Sequence, residues 1–286
     1  MSVCKLGTTV IDSLTLCYTA SDDFLSFMRD VCNKTTFDKF YLKRAQGERH
    51  SQYFVIKLNG MTVATIYFDR YGAKKQEPYI WLRIENYVLY NKYLLIEVLS
   101  LAELLDLEFN NFTYIELAKD FRYNVSAKIR GFMRNKELTT LINGKEIKDR
   151  NKILKNITST CNMSLNRDDK KSLTIKQAKA VKNKRKGITL NAYDKVKEIN
   201  SKSQKKYILD FYGNPKRLHR LELRLNNGDI KKIAKSMKII ITEDIIFDIE
   251  KLNSIYKKAL ESLIRFKKKR KKLDWQMLFD CNMRYR

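Results

Sequence analysis

The chain has 286 residues, 44% of them hydrophobic, which is enough to bury one large core or two small ones and excludes disorder throughout. Its 58 Lys and Arg stand against 32 Asp and Glu, a formal net charge of +26 that favours nucleic acid or an anionic membrane surface as partner. No run approaches the roughly 20 apolar residues of a membrane span, no secretory signal pattern opens the chain, and Cys4, Cys17, Cys32, Cys161 and Cys281 show no CxxC spacing. The expectation is therefore a cytoplasmic protein with free thiols and neither a disulfide framework nor a zinc site.

In chain order, Thr8 to Tyr18 alternates as a strand, and Asp22 or Asp23 opens a helical pattern through Leu25, Phe27 and Val31. Tyr53 to Leu58 and Thr62 to Phe68 read as strands joined by Asn59-Gly60, a strong hairpin signal. Pro78 introduces another strand, with Tyr79, Trp81 and Arg83 on one face and Ile80, Leu82 and Ile84 on the other. Leu94, Leu95, Val98, Leu101, Ala102 and Leu105 recur at helical spacing, and Asn110-Asn111 is expected to end that helix. Phe112 to Phe121 then alternates so that Glu116 and Asp120 share a strand face.

Lys145 to Lys186 is polar, with one short strand candidate at Ser172 to Gln177. Its basic residues, Lys184, Arg185 and Lys186 among them, suit a phosphate backbone or a solvated loop. Gly187 to Lys195 alternates Thr189, Asn191, Tyr193 and Lys195 against Ile188, Leu190 and Ala192. The strand around Arg220-Leu-Glu222-Leu-Arg224-Leu225 puts its three charged residues on one face. Beyond Asn226-Asn227-Gly228 the pattern is helical: Thr242 is expected to cap a helix with the stripe Ile245, Ile249, Leu252, Tyr256, Leu260 and Leu263, which also offers a dimer contact. That helix is expected to continue into a basic arm holding Lys267, Lys268, Lys269, Arg270, Lys271 and Lys272 as phosphate contacts. The fold class that follows is α+β: an antiparallel central sheet flanked by helices over residues 1–226, then a helical basic region over 227–286.

These residues suggest chemistry on phosphodiesters. A phenol beside an ammonium, as in Tyr193 and Lys195, ionises more readily, which a tyrosine nucleophile requires. Carboxylates on the polar faces of apolar strands, Glu116, Asp120 and Glu222, are candidate ligands for a divalent ion such as Mg or Mn. Glu222 also has Arg220 and Arg224 to neutralise it in a plain ion pair. His50 and His219 are the only histidines, so a paired-histidine nickase site cannot be built, and residue 222 is Glu where a tyrosine recombinase would need Arg after His219. A P-loop is absent, which argues against ATP hydrolysis.

The ordered set Val10-Ile-Asp12-Ser-Leu-Thr-Leu16, Tyr114-Ile-Glu-Leu-Ala-Lys-Asp120, Leu190-Asn-Ala-Tyr-Asp-Lys-Val-Lys-Glu198 and Arg220-Leu-Glu-Leu-Arg-Leu225 resembles rolling-circle replication initiators of the Rep_trans type, carried by plasmids, and the related filamentous-phage initiators. The resemblance covers most of residues 8 to 226. It implies an origin nickase whose tyrosine becomes linked to a 5′ phosphate and leaves a 3′ hydroxyl, with acidic residues holding the metal. It further implies origin DNA, a second copy of the chain, and the host helicase and polymerase as partners in a bacterial cytoplasm. Carried over residue by residue, it assigns Glu222, Glu116 and Asp120 to the metal, though family members more often begin the middle strand with Asp. Tyr193 becomes the nucleophile, with Tyr207 and Tyr212 as alternatives, and Lys195, Arg220 and Arg224 its catalytic neighbours. A non-catalytic DNA-binding regulator is the competing reading, and an RNA-binding protein the third.

Overall fold

A computed structural model describes residues 6–30, 33–45, 50–70, 78–147, 161–164, 172–177, 187–269 and 271–275. The architecture is α+β: antiparallel sheet with seven α-helices among the described residues. The chain divides into two compact units: Ile11–Glu116 with Ile240–Ile246, and Met1–Val10 with Leu117–Ile239 and Phe247–Arg286. Two strands, β1 (Thr9–Thr19) and β7 (Glu108–Phe121), contain the points of division.

The first unit also holds β2 (Lys34–Phe37), β3 (Phe40–Ala45), β4 (His50–Leu58), β5 (Met61–Arg70) and β6 (Tyr79–Ile84), with the strand order β7-β1-β6-β5-β4-β3-β2. The β4–β5 hairpin forms at Asn59-Gly60 as expected: both residues take positive φ, 50° and 79°, which a tight two-residue turn demands and Gly supplies at no steric cost. Helix α2 (Lys92–Leu104) follows the predicted stripe, whereas α1 (Asp22–Asp30) buries Leu25 with Met28 rather than with Phe27, and Val31 lies outside the described residues. Leu25 and Met28 of α1 and Leu95, Val98, Leu101 and Ala102 of α2 are buried, while Phe27 is exposed. Asn91 caps α2 by accepting from the Leu94 N–H at 3.2 Å. Asn110-Asn111 does not end that helix: it lies inside β7, and the chain has already left the helix at Leu105.

In the second unit, β10 (Cys161–Ser164), β11 (Leu173–Gln177), β12 (Thr189–Asp194), β13 (His219–Asn226) and β7 follow one another in that order. The helices are α3 (Val125–Arg134), α4 (Lys195–Glu198), α5 (Tyr207–Phe211), α6 (Asn227–Met237) and α7 (Ile249–Leu263); α3, α6 and α7 pack against β13. The period-two alternation of β11, β12 and β13 buries Leu173, Ile175, Leu190, Ala192, Leu221, Leu223 and Leu225 completely or nearly so. Each buried aliphatic side chain contributes on the order of 1.5–3 kcal/mol of transfer free energy.

The basic carboxyl-terminal block is not a helical arm. Helix α7 starts after Asp248, whose side chain accepts from the Lys251 N–H at 2.9 Å, and it stops at Leu263. The chain then turns into β14 (Ile264–Lys268) and β15 (Lys271–Lys272), in a four-stranded sheet of order β15-β14-β8-β9 with β8 (Leu138–Ile142) and β9 (Lys145–Glu146). Period-two burial of Ile264 and Phe266 overrides the helical charge pattern, and Phe266 meets Phe132 and Trp275 edge-on or tilted at 5.5 Å. Thr242 does not open α7: it precedes a 3-10 turn, Glu243–Phe247, which holds Ile245, and its carbonyl accepts from the Ile245 N–H at 3.3 Å. The stripe Leu252, Tyr256, Leu260 and Leu263 is spent on the interior of its own unit.

Candidate functional site

The pairing of β12 with β13 sets opposite one another Asn191 and Glu222, Tyr193 and Arg220, and Thr189 and Arg224. β11 adds Thr174 opposite Asn191 and Lys176 opposite Thr189. Directly opposed residues share a face, so the polar halves of three strands form one wall while their leucines and isoleucines enter the core. Glu222 sits in the middle of that wall and is only 2% exposed. Its Oε2 accepts from the Tyr193 hydroxyl at 2.9 Å, and its Oε1 accepts from Arg224 Nε at 3.0 Å and Asn191 Nδ2 at 3.3 Å. Thr174 Oγ1 donates to Asn191 Oδ1 at 3.0 Å, which fixes the amide that in turn fixes the carboxylate.

The tripeptide Tyr193-Asp194-Lys195 is a strand-to-helix junction. Tyr193 stands near the end of β12, and Asp194 caps α4 by accepting from the Lys197 N–H at 3.0 Å. Lys195, buried at 3% exposure, pairs with Glu198 at 2.8 Å one helical turn on. Its Nζ lies 5.6 Å from the centre of the Tyr193 ring, so the phenol and the ammonium do come together, as a cation–π contact. A cavity of about 640 Å³ opens beside them, lined among others by Thr174, Asn191, Tyr193, Lys197, Lys202 and Arg224. Tyr207 and Tyr212 do not line it: Tyr207 opens α5, and Tyr212 is buried at that helix's end.

Asp120 and Arg220 make a different structure. Both side chains are wholly buried, and Arg220 grips Asp120 through Nε at 2.8 Å and NH2 at 2.6 Å. The Asp120 carbonyl also accepts from Gly7 N–H at 2.9 Å. This two-pronged geometry matches a guanidinium to a carboxylate and commits both groups to the fold. Expected as a metal ligand and a catalytic cation, the two are instead a buried ion pair, because the residue opposite Tyr193 on β13 has no path to solvent.

In the first unit two carboxylates are buried on neighbouring apolar strands. Asp12 of β1 accepts from the Tyr90 hydroxyl at 2.5 Å, and Glu116 of β7 accepts from the Tyr114 hydroxyl. Carboxylate oxygens are hard ligands suited to Mg²⁺ or Mn²⁺ rather than to thiophilic metals. Asp12 and Glu116 in the first unit, and Glu222 in the second, each accept a hydrogen bond from a tyrosine hydroxyl, the kind of contact that orients a carboxylate. The sequence carried a signal for Asp12, a lone acid between Val10 and Leu16, but an acid on a strand does not by itself announce its hydrogen-bond partners.

Of the basic candidates, Lys184, Arg185, Lys186 and Arg270 lie outside the described residues. Lys267 faces Lys272 across the β14–β15 pair, Lys268 bridges to Glu137 at 2.7 Å, and Lys272 bridges to Glu261 at 2.6 Å. Lys269 takes positive φ, 44°, at the turn, and Lys271 is exposed. No helix among the described residues is long and apolar enough to cross a membrane. No known protein family and no curated protein matches the chain.

Proposed function

We propose that the protein is a DNA strand-nicking and joining enzyme that initiates rolling-circle replication at an origin, with Tyr193 as nucleophile. The observation that carries this reading is the 2.9 Å hydrogen bond from the Tyr193 hydroxyl to Glu222, at the edge of a cavity with Arg224 on its wall. Tyr193 Oη attacks the phosphorus, and its proton faces Glu222 Oε2, the acceptor it already contacts. The bond to the 3′ oxygen breaks, giving a 5′-phosphotyrosine and, once that oxygen takes a proton from solvent, a free 3′ hydroxyl. Glu222, the carboxylate that the Tyr193 hydroxyl contacts, would help to hold a divalent ion, which would supply positive charge where negative charge develops on the phosphoryl oxygens. Lys195 steadies the Tyr193 ring from its buried position, and Arg224 is the exposed guanidinium within reach of a phosphate.

Support for DNA as partner comes from the +26 charge and from the order of the four acidic and tyrosine motifs along the chain. A non-catalytic DNA-binding regulator is the second reading, favoured by the Arg224–Glu222 ion pair, which a purely structural strand pair would also make. Incubation with supercoiled plasmid carrying the cognate origin and Mg²⁺ or Mn²⁺ separates them. Open-circular product that is lost in Glu222→Gln supports the nickase; retarded but uncut plasmid supports the regulator.

A further inference from the structure

The polar cavity beside Tyr193 has a wall that the nicking reaction does not use. After the single turn of α4 the backbone widens into a π turn, Ile199–Ser203, closed by Gln204 at positive φ, 57°. One-turn π segments cost hydrogen-bond quality and recur at functional sites, because the extra residue re-aims the side chains that follow. Here they bring Ser201 and Lys202 onto the cavity, where Lys197 of α4 also lies, and Arg224 of β13 completes the cationic lining. Two carboxylates share that wall: Asp194 accepts from the Lys197 N–H as the cap of α4, and Glu198 pairs with buried Lys195. The polar edge of β11 and β12, with Thr174 bonded to Asn191, supplies hydrogen-bonding groups on the remaining side.

We propose that this cavity seats a segment of single-stranded nucleic acid next to the cleaved phosphate, and that Lys197 and Lys202 neutralise two of its phosphates while Arg224 meets the phosphate nearest Tyr193. The proposal rests on the reading of Tyr193 as nucleophile only for the order of the groups, not for binding itself. Three features fit a single strand. The volume, about 640 Å³, falls within the range of ligand clefts. The cations stand on one helical segment and on the face of one interior strand, β13. Amides and hydroxyls between them are placed to meet base edges that a duplex would keep paired.

The test is equilibrium binding of a fluorescein-labelled oligodeoxythymidylate of about 12 nucleotides to the full chain carrying Tyr193→Phe, so that no chemistry intervenes. Each single-strand phosphate contact contributes about 0.7 to the slope of log K against log salt, so Lys197→Ala/Lys202→Ala should flatten the slope by about 1.4 and weaken binding about 25-fold at about 0.1 M salt. Both lysines are exposed, so the melting temperature should hold. A matched pair of exposed lysines off the cavity, Lys34→Ala/Lys145→Ala, should leave the slope within about 0.3 of the parent's. An unchanged slope in the cavity variant, or an equal fall in the control, overturns the proposal. If the lysines govern binding but the unsubstituted chain forms no covalent adduct with origin DNA, the nicking reading fails and the cavity assignment stands. If adducts form and the lysines are neutral, the reverse holds.

Discussion

Removing one side of the Asp120–Arg220 pair should damage the fold far more than removing both. The two side chains are completely buried and joined by contacts of 2.8 and 2.6 Å, and Arg220 is among the largest fully buried side chains. In Arg220→Met the Asp120 carboxylate loses its guanidinium in a dry interior. Breaking such a pair from one side costs about 3–5 kcal/mol, whereas replacing both partners by apolar residues of similar volume is near neutral or stabilising. At roughly 2–4 °C per kcal/mol for a domain of this size, Arg220→Met should lower the melting temperature by about 6–20 °C. Asp120→Leu/Arg220→Met should recover most of that loss. Urea unfolding followed by tryptophan fluorescence, completed as a double-mutant cycle, gives the coupling directly. A single-variant cost below about 1 kcal/mol, or a double variant as unstable as the sum of the singles, would refute the assignment of these residues to the fold.

Glu222→Gln keeps the shape of the side chain but removes its charge, and nicking in Mg²⁺ or Mn²⁺ should fall by at least about 100-fold with oligonucleotide binding retained; unchanged cleavage removes Glu222 from the site. Glu243 is held above its ordinary value of 4.5, chiefly by burial and then by the charges of Asp244 and Glu103, against the opposing hydrogen bond from Tyr18. A raised carboxyl contributes stability that is complete below pH 4.5 and is lost as pH rises through the folded value. The stability of Glu243→Gln relative to the parent should therefore grow from pH 4.5 upward, measured as a difference in melting temperature across that range; a flat difference contradicts it. Asp248→Ala should lower the melting temperature and Thr242→Ala should not, since Asp248 is the residue that caps α7.

How much was legible in the sequence depended on whether a signal was local. Asn59-Gly60 announced its hairpin because the turn's positive φ values are a property of two residues, and Ser172 to Gln177, Gly187 to Lys195 and Arg220 to Leu225 announced strands through period two. The same logic would have found Asn143-Gly144, whose φ values of 50° and 79° turn β8 into β9, had the polar region not been read from Lys145 onward. The basic block misled because lysine is compatible with either period; Ile264 and Phe266, buried by pairing with β8, decided for a strand. In the candidate site, the alternation of β12 and β13 gave the polar face of each strand, but their register decided the partners: Tyr193 stands opposite Arg220 and reaches Glu222 on the diagonal. Asp120 was read as a ligand because strand alternation cannot tell a carboxylate facing a cavity from one facing a buried guanidinium.

Covalent capture tests the proposed chemistry most directly. The protein is incubated with single-stranded origin DNA and Mn²⁺, denatured, digested with trypsin, and the nucleotide-bearing peptide is sequenced by mass spectrometry. The expected result is one adduct, carried by Tyr193 and absent from Tyr193→Phe protein that still binds the DNA. An adduct on Tyr207 or Tyr212, or one that persists in Tyr193→Phe, would contradict the placement of the nucleophile beside Glu222.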